Sequence, residues 1–340
     1  MTLPSRRNSS PTSDWKTSPM PKTLKTILIT VPTTGARPLR PLLDDLAQQA
    51  HGAENSSGRT ASVMLLDNSP AGSQTARVAA AACGVEYRRV ELPGFSQVRN
   101  AAMDAAQQHD ALVFIDDDER PVPGWLRALI TSAEANDADV VVGPVAVRLP
   151  PHAPRWLGGG RLIRQVRTQE DGPLEGFAQS GNTLVRMSTV RRTGLRFHSA
   201  FDRTGGEDSV FFHEMVQRGA RIFFTRAALV FETPDQDRLT LPGVVHRAFR
   251  GGRTAAVVEA EIRDVPMSRR LIRRAGKLAR AFCRIFSGTV CGRPADCVRG
   301  MQDVAFVCGW GTALLAGASV AVSRRKYRQD ASPVTRPHPP

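Results

Sequence analysis

The chain has 340 residues, of which 41% are hydrophobic and 23% are charged, and its formal net charge at pH 7 is +14. These proportions exclude an intrinsically disordered chain, and the length suits one large α/β domain with additions or two modest domains. The positive charge favours an anionic partner, either nucleic acid or lipid headgroups. Five cysteines without a CxxC pair indicate reduced thiols in a cytosolic compartment.

Residues 1–22 are rich in Ser, Thr and Pro and contain no apolar core, so we expect a disordered leader and not a signal peptide. After this leader the chain alternates predicted strands and helices. Helical periodicity follows the first strand, a small-residue helix at 73–82 follows the second, and a helix at 97–108 with Ser96 as its cap follows the third. This alternation predicts a doubly wound α/β sheet. The strands are the apolar runs 26–31, 61–66, 85–92 and 111–115.

The middle of the chain continues with mixed elements. A strand is predicted at 140–147, and a loop rich in Pro, Gly and Arg follows at 150–172, long enough to have a function. A short strand at 181–186, a helix at 207–218 and a strand-like segment at 222–231 complete this part.

Three adjacent carboxylates, Asp116, Asp117 and Asp118, follow the apolar run 111–115 directly. Ligands of parallel sheets bind at the carboxyl ends of strands, and three acids at that place repel one another unless a cation lies between them. The alternative is a turn in which one Asp caps the next helix, but a cap needs only one carboxylate. The triplet therefore predicts a site for a divalent cation and a nucleotide.

The C-terminal part changes in character at Met267. One helical stripe of apolar residues runs to Ile285, and arginines and lysine fill the other positions without any acid. This pattern is typical of a helix that lies in a membrane interface, although the solvated face of a packed helix is the alternative. The uncharged segment 304–323 is about long enough to cross a bilayer, but its many Gly and Ala residues make it only mildly apolar.

Residues 114–126 resemble the DxD region of family 2 glycosyltransferases, which have the GT-A fold. The resemblance extends in order over roughly residues 25–255, and in particular it is to bacterial enzymes of the succinoglycan type, which build exopolysaccharide repeat units on a lipid carrier. The other matching elements are the first strand and turn at 27–33, the Asp-Asn-Ser ending at 63–69, the Gly-x-Ser-x-x-Arg-Asn element at 94–101, Gly181-Asn182 and Gly205–Asp208.

The resemblance implies roles for individual residues. Asp208 would be the general base that deprotonates the acceptor hydroxyl, with Glu207 orienting the acceptor. Asp118 and Asp116 would hold a divalent cation, Mn²⁺ or Mg²⁺, at the diphosphate. The nucleotide-sugar would contact Thr33, Asp67, Arg99, Asn100, Asp116, Asp117 and Asn182.

Each of these roles has a structural alternative. Asp67, which would accept a hydrogen bond from uracil, is equally suited to an Asx turn after a strand. Arg99 could be a solvated helical charge. Glu207 and Asp208 could be an acidic first turn that favours the helix dipole. The glycines before them, Gly205 and Gly206, point instead to backbone bent close to a ligand.

Two departures from the family pattern stand near the end of the domain. Glu232 occupies the place where many members have a His that completes the metal shell, and it could ligate through oxygen. Arg247 and Arg250 lie where processive synthases have Gln-x-x-Arg-Trp, which this chain lacks. They could still form a cationic clamp on the diphosphate. The missing motif and the lack of several membrane spans favour an enzyme that adds a single sugar.

The sequence therefore predicts an α/β protein of GT-A fold, with a glycosyltransferase domain at 23–255, membrane-associating helices at 256–326 and a disordered tail at 327–340. We expect inverting transfer from a UDP-sugar to a saccharide on a polyprenyl diphosphate lipid, at the anionic cytoplasmic face of a bacterial inner membrane. A nucleotidyltransferase, suggested faintly by 33–37, and a basic nucleic-acid-binding protein are the alternatives. Two Tyr and four Trp leave few rings for base stacking, so we expect no nucleic-acid partner.

Overall fold

The computed structural model describes residues 23–157, 162–163, 169–174, 178–202, 205–261 and 265–315. Its strands are β1 (Thr26–Thr33), β2 (Thr60–Asp67), β3 (Glu86–Arg89), β4 (Ala111–Phe114), β5 (Glu119–Pro121), β6 (Val140–Val142), β7 (Val145–Val147), β8 (Gly172–Pro173), β9 (Thr183–Arg186), β10 (Ile222–Phe224) and β11 (Val230–Glu232). Within these described ranges, one mixed sheet has the order β3-β2-β1-β4-β9-β6-β10-β8, and a small sheet has the order β5-β11-β7. This is the predicted α/β architecture.

Helices flank the large sheet and form the C-terminal part. They are α1 (Arg40–Ser57), α2 (Gln74–Ala82), α3 (Phe95–Ala105), α4 (Trp125–Ala135), α5 (Met187–Thr193), α6 (Glu207–Gln217), α7 (Leu241–Glu261), α8 (Met267–Val290) and α9 (Pro294–Leu315). Short 3-10 turns occur at Arg155–Leu157, Ser199–Phe201 and Gln236–Leu239.

The central strands β1 and β4 bury side chains on both faces of the large sheet. Ile29 and Val113 belong to the core under one face, whereas Leu28 and Phe114 belong to the core under the other. Side chains alternate between the faces of a strand, so a strand covered on both sides needs apolar residues throughout. This explains the continuous apolar runs that predicted these strands.

One edge of the large sheet collects the ends of several strands. In the parallel pair β1–β2, Thr33 lies opposite Asp67, and both residues end their strands. The strand β4 ends beside β1 just before Asp116. Because β9 is antiparallel to β4, its first residue, Thr183, lies opposite Phe114 at the same edge. The topology therefore brings the predicted site elements together.

Several predicted boundaries were wrong. The predicted strands at 140–147 and 222–231 are each two strands, β6 with β7 and β10 with β11, and each pair is divided between the two sheets. Gly143 and Pro144 separate β6 from β7. The strand β5 was not predicted, and its pairing with β11 places Glu119 opposite Glu232.

Two local predictions near the site also differ. Ser96 lies inside α3 and donates to the carbonyl of His198 at 2.8 Å, while Gly94 occupies the N-cap. The strand β1 continues through Pro32 to Thr33. Proline fits there because β1 pairs with β4 only as far as Thr30, so no partner on that side needs an N–H from Pro32.

The C-terminal helices pack together and against the domain. Helix α7 runs across the predicted domain boundary at residue 255. It approaches α9 so closely that a Cβ on Gly252 would lie 1.9 Å from the carbonyl oxygen of Phe306. Among the described residues, no helix combines the length and apolarity required to cross a bilayer. The predicted leader, the predicted tail and residues 316–323 of the candidate span lie outside the described residues.

Candidate functional site

The end of β1 is joined to the acidic triplet by a threonine. Thr33 donates its hydroxyl to Asp117 Oδ2 at 2.7 Å and accepts the backbone N–H of Gly35 at 2.9 Å. Burial raises the pKa of Asp117, and the bond from Thr33 opposes that rise. Thr33 therefore holds the middle carboxylate of the triplet in a fixed direction.

Asp118, the last carboxylate of the triplet, has a strongly raised pKa. Burial, followed by the charges of Asp116 and Glu232, raises its pKa to about 7, although Arg37 opposes the rise. The Arg37 guanidinium lies 3.7 Å from Asp118 Oδ2, and that of Arg238 lies 3.6 Å from the same oxygen. Arg238 also pairs with Glu232. The acids around Asp118 therefore carry more negative charge than the two arginines neutralise.

The donor chemistry of this cluster suits a hard divalent cation, because carboxylate oxygens are the ligands such ions prefer. In the described part of the chain, however, no three His, Cys, Asp or Glu side chains are arranged as a metal-binding group. Arg37 and Arg238 lie among the carboxylates instead. The residues fit a divalent cation by the chemistry of their carboxylates and by their excess negative charge.

Gly181 packs directly against the carboxylates at the end of β4. A Cβ at this position would lie 2.9 Å from Asp116 Oδ2 and 2.9 Å from Glu119 Oε1. Glu119 in turn accepts the backbone N–H of Asp116 at 3.2 Å. The glycine of the Gly-Asn element is therefore required by close approach to the acids.

Asn182 holds the scaffold and does not face an open cleft. It is completely buried, accepts from Trp125 Nε1 at 2.6 Å, and donates to the carbonyls of Pro144 and Ala228 at 2.9 and 2.8 Å. All its amide atoms are thus engaged. We correct its predicted role from substrate binding to positioning of the strand ends around the site.

The second acidic pair is bound to Arg99 of α3. Arg99 Nη1 donates to Glu207 Oε1 at 2.5 Å, and its Nε lies 3.3 Å from Asp208 Oδ1. Both acids stand in the first turn of α6, which begins after Gly206 in the left-handed conformation, φ 102°. Arg99 is therefore not a solvated charge but the counterion of the acid pair, and its contact with the nucleotide stays a prediction.

Burial and the charge of Asp208 raise the pKa of Glu207 to about 7, and Arg99 only partly opposes this. Glu207 is 5% exposed, whereas Asp208 is more open. Burial is the largest influence on the pKa of both Arg99 and Glu207, and the charge of Asp116 raises both. The triplet and the acid pair therefore share one electrostatic environment.

Asp67 ends β2 in complete burial. Its carboxylate accepts from the backbone N–H groups of Ser69 and Ser73 at 2.9 and 2.5 Å and from the hydroxyl of Tyr87 at 2.7 Å. Although burial raises the pKa of Asp67, these hydrogen bonds hold it below its usual value. The turn considered as the alternative is present. A carboxylate has about four acceptor positions, so a uracil contact stays a prediction.

Asn100, also predicted to contact the nucleotide, ties α3 to the segment that precedes α6. Its amide donates to the carbonyl of Phe197 at 2.8 Å and accepts the N–H of Phe197 at 2.9 Å. Phe197 stacks on Phe211 of α6 with ring centroids 4.0 Å apart. Asn100 therefore helps to orient α6 and its acid pair, and its contact with the nucleotide stays a prediction.

The predicted clamp residues are divided by the structure. Arg247 lines a cavity of about 150 Å³ together with Arg238, Val244 and Gln302, whereas Arg250 is exposed on α7 and is not part of that lining. Sequence reasoning missed Arg238, and it gave Arg37 no role at the triplet. The only signal for Arg238 is its position six residues after Glu232, at the end of a strand whose partner was not predicted.

Comparisons with known proteins match part of the chain. The family model for glycosyl transferase family 2 matches residues 29–194. The succinoglycan biosynthesis protein ExoM of Rhizobium meliloti (strain 1021) is 33% identical over 166 residues, which are 49% of this chain and 53% of that protein. The chain thus spans about half the length of this curated relative.

Solved structures that the chain resembles in part include S. aureus TarS 1-349 in complex with UDP-GlcNAc, which is 12% identical with a TM-score of 0.48, covering 82% of this chain and 91% of that one. GalNAc-T7 with UDP, GalNAc and Mn²⁺ is 15% identical with a TM-score of 0.46, covering 72% of this chain and 52% of that one. The similarity to glycosyl transferase family 2 thus covers residues 29–194, from β1 through α5.

Proposed function

We propose that this protein transfers a sugar from a nucleotide-sugar, most simply a UDP-sugar, to a lipid-linked saccharide, with inversion at the anomeric carbon and with a divalent cation. The observation that supports this most is the electrostatic coupling of two acidic groups by Asp116. Its charge acts on Asp118 in the triplet and on Glu207 beside Asp208. One group suits the donor diphosphate and the other suits the acceptor hydroxyl.

Asp208 is the general base in this proposal. It is the more open member of the acid pair, and Arg99 holds it at 3.3 Å. As the acceptor oxygen attacks the anomeric carbon, its proton passes to the Asp208 carboxylate, and the bond from that carbon to the diphosphate breaks on the opposite side. Glu207 Oε2 is buried without a hydrogen-bond partner among the described residues, which suits a contact with a second acceptor hydroxyl.

The leaving nucleoside diphosphate needs positive charge. A divalent cation held by Asp118 and Asp116, with Glu232 beside them, would neutralise the phosphate oxygens as the diphosphate departs. Arg238 has buried Nε and Nη2 atoms without a hydrogen-bond partner in the described ranges, and Arg247 shares its cavity. These donors suit a bidentate contact with a phosphate.

The acceptor in this proposal is a saccharide carried by a membrane lipid. A lipid-linked saccharide, on polyprenyl diphosphate at an anionic membrane surface, is supported by the relative whose name places it in succinoglycan biosynthesis. The exposed apolar face of α8 agrees with work at a lipid surface. Synthesis of a bacterial exopolysaccharide or another cell-surface glycan would use this reaction.

Donor turnover tests the proposal directly. The full chain should release nucleoside diphosphate from one member of a set containing UDP-sugars, GDP-mannose and dTDP-rhamnose, and only with Mn²⁺ or Mg²⁺. Asp208→Asn should lower transfer by roughly a hundredfold or more while donor affinity is kept. Asp104→Asn, on the exposed side of α3, is the matched control. Transfer by Asp208→Asn at the wild-type rate would place the base elsewhere, and product of retained configuration would exclude inversion.

A further inference from the structure

One charged side of α8 is turned toward the neighbouring helices α7 and α9. Arg274 pairs with Glu259 of α7 at 2.5 Å, and both Lys277 and Arg284 pair with Asp303 of α9 at 2.5 Å. Glu259 and Asp303 are both buried. Turning α8 about its axis would break all three pairs and leave Glu259 and Asp303 buried without counterions, so the rotation of α8 is fixed.

The opposite face of α8 is apolar and exposed. Its side chains lie at helical spacing along about 28 Å of the helix, from residue 271 to residue 290. Exposed apolar residues that occur singly are ordinary, but a continuous stripe marks a surface that binds something. The stripe consists of Leu271, 54% exposed, Ile272, 71%, Phe282, 63%, Phe286, 73%, and Val290, 69%.

A row of positive charge runs beside this stripe. Arg269, Arg273 and Arg280 are exposed and lie on one flank of the helix, and α8 contains no Asp or Glu. The exposed surface of α8 therefore carries apolar side chains with a row of guanidinium groups beside them. A second copy of the chain would present the same positive flank, whereas anionic headgroups complement it.

We infer that this face of α8 docks flat on an anionic lipid bilayer, with the stripe among the acyl chains and the arginine row at the phosphates. The ion pairs with Glu259 and Asp303 hold the apolar side outward, so the docking surface exists before the membrane is met. This inference rests on the proposed function only for the idea that the acceptor is a membrane lipid. What the inference adds is that α8 is the helix that binds the bilayer, that its exposed apolar face makes the contact, and that the lipid is anionic.

Vesicle sedimentation of the full chain tests the inference. The protein should sediment with vesicles of phosphatidylcholine and phosphatidylglycerol, and much less with phosphatidylcholine alone. The double variant Phe282→Gln/Phe286→Gln should bind at least roughly tenfold more weakly. The triple variant Arg269→Gln/Arg273→Gln/Arg280→Gln should also bind more weakly and lose most of the salt dependence. The control Val78→Gln/Val216→Gln, which changes exposed apolar side chains of α2 and α6, should bind like the wild type.

Several outcomes would overturn the inference. The first two are that the wild type does not bind anionic vesicles, and that the phenylalanine variant binds them as well as the wild type does. The third is that binding is lost only when residues 316–340 are removed. The fourth is that the wild type is a dimer, that the phenylalanine variant is a monomer, and that vesicles bind neither. If that variant unfolds, as judged by circular dichroism, Ile272→Gln/Val290→Gln probes the same stripe.

The docking result is independent of the proposed reaction. Vesicle binding is measured without a donor, and donor hydrolysis is measured without vesicles. Binding without hydrolysis by the wild type would refute the proposed function and leave the docking surface intact. Hydrolysis that persists in the phenylalanine variant, together with weakened binding, would support both.

Discussion

The indole N–H of Trp125 donates to Asn182 Oδ1 at 2.6 Å, and this bond joins two motifs that lie more than fifty residues apart in the chain. The amide of Asn182 also donates to two backbone carbonyls, those of Pro144 and Ala228. The backbone of Asn182 has a positive φ of 54°, which asparagine tolerates better than most residues. One side chain therefore fixes α4, the start of β9, and the loops after β6 and before β11 around the acidic triplet.

Asn182→Ala should destabilise the protein strongly. It leaves a buried indole donor and two buried carbonyls without this partner, and each unsatisfied group costs about 1–3 kcal/mol, so we expect a loss of roughly 3 kcal/mol or more in the free energy of unfolding. Urea denaturation followed by circular dichroism measures it. Asn136→Ala at the end of α4 is the control, because the side-chain amide of the half-buried Asn136 donates to the carbonyl of Ser132 one turn earlier in the same helix. Equal losses in the two variants would mean that the amide network of Asn182 is not stabilising.

The parts of the fold that could be predicted are those in which the local sequence determines the burial. The strands β1, β2 and β4 were predicted because a strand covered on both faces needs an unbroken apolar run. The division of 140–147 could not be predicted, because it depends on pairing between β7 and β11, whose residues lie about eighty positions later. The same distant pairing brings Glu232 to Asp118, with Arg238 beside both.

In the candidate site, likewise, the sequence identified the residue types but not which residues would lie next to each other. The motif that contains Arg99 identified the residue, but its partner, Glu207, lies 108 positions away. Glu207 is brought near by Phe197, which bonds to Asn100 of α3 and stacks on Phe211 of α6. Asn182 was predicted to bind substrate because a polar residue in a motif is ambiguous until its hydrogen-bond partners are known. The outward apolar face of α8 likewise depends on Glu259 and Asp303, which belong to other helices.

Asp118→Asn should separate metal binding from folding. The substitution removes one negative charge from a crowded, buried group, so the protein should stay folded. Its affinity for Mn²⁺ should fall by roughly ten- to a hundredfold, and donor hydrolysis should fall with it. Titration calorimetry with Mn²⁺ gives the affinity, and EDTA treatment followed by return of Mn²⁺ tests the wild type. Asp45→Asn, a carboxylate paired with Arg120 at the surface, is the control. Wild-type affinity in Asp118→Asn would refute the assignment.

Arg238→Gln should have two opposite effects: it should weaken binding of the nucleotide-sugar and strengthen binding of Mn²⁺. The variant loses a cation that pairs with Glu232 and lies 3.6 Å from Asp118, so the carboxylates should attract Mn²⁺ more strongly. It also loses the donors that we assign to the phosphate, so the KM for the nucleotide-sugar should rise roughly tenfold. Steady-state kinetics at saturating Mn²⁺ and calorimetry without donor separate these effects. Arg226→Gln, which removes a surface pair with Glu170, is the control. A variant with unchanged KM would remove Arg238 from the donor site.

Glu207 should give the protein a stability that depends on pH. Burial and the charge of Asp208 raise its pKa from an ordinary value of 4.5 to about 7 in the folded protein, so the folded state binds this proton more tightly than the unfolded chain does. The stabilisation from Glu207 is therefore fully present below about pH 4.5 and is lost as the pH rises through about 7.

Glu207→Gln cannot titrate, so it isolates this contribution. The free energy of unfolding of the wild type minus that of the variant should fall by roughly 3 kcal/mol between about pH 4.5 and pH 8, because one pKa unit corresponds to about 1.4 kcal/mol. Urea denaturation across this range measures the difference. Ser209→Ala, also in the first turn of α6, is the control. It changes no titrating group, so its free energy of unfolding should differ from that of the wild type by the same amount at every pH. A pH-independent difference for Glu207→Gln would show that Arg99 keeps Glu207 ionised, and Glu207 would then act on the acceptor only as a carboxylate.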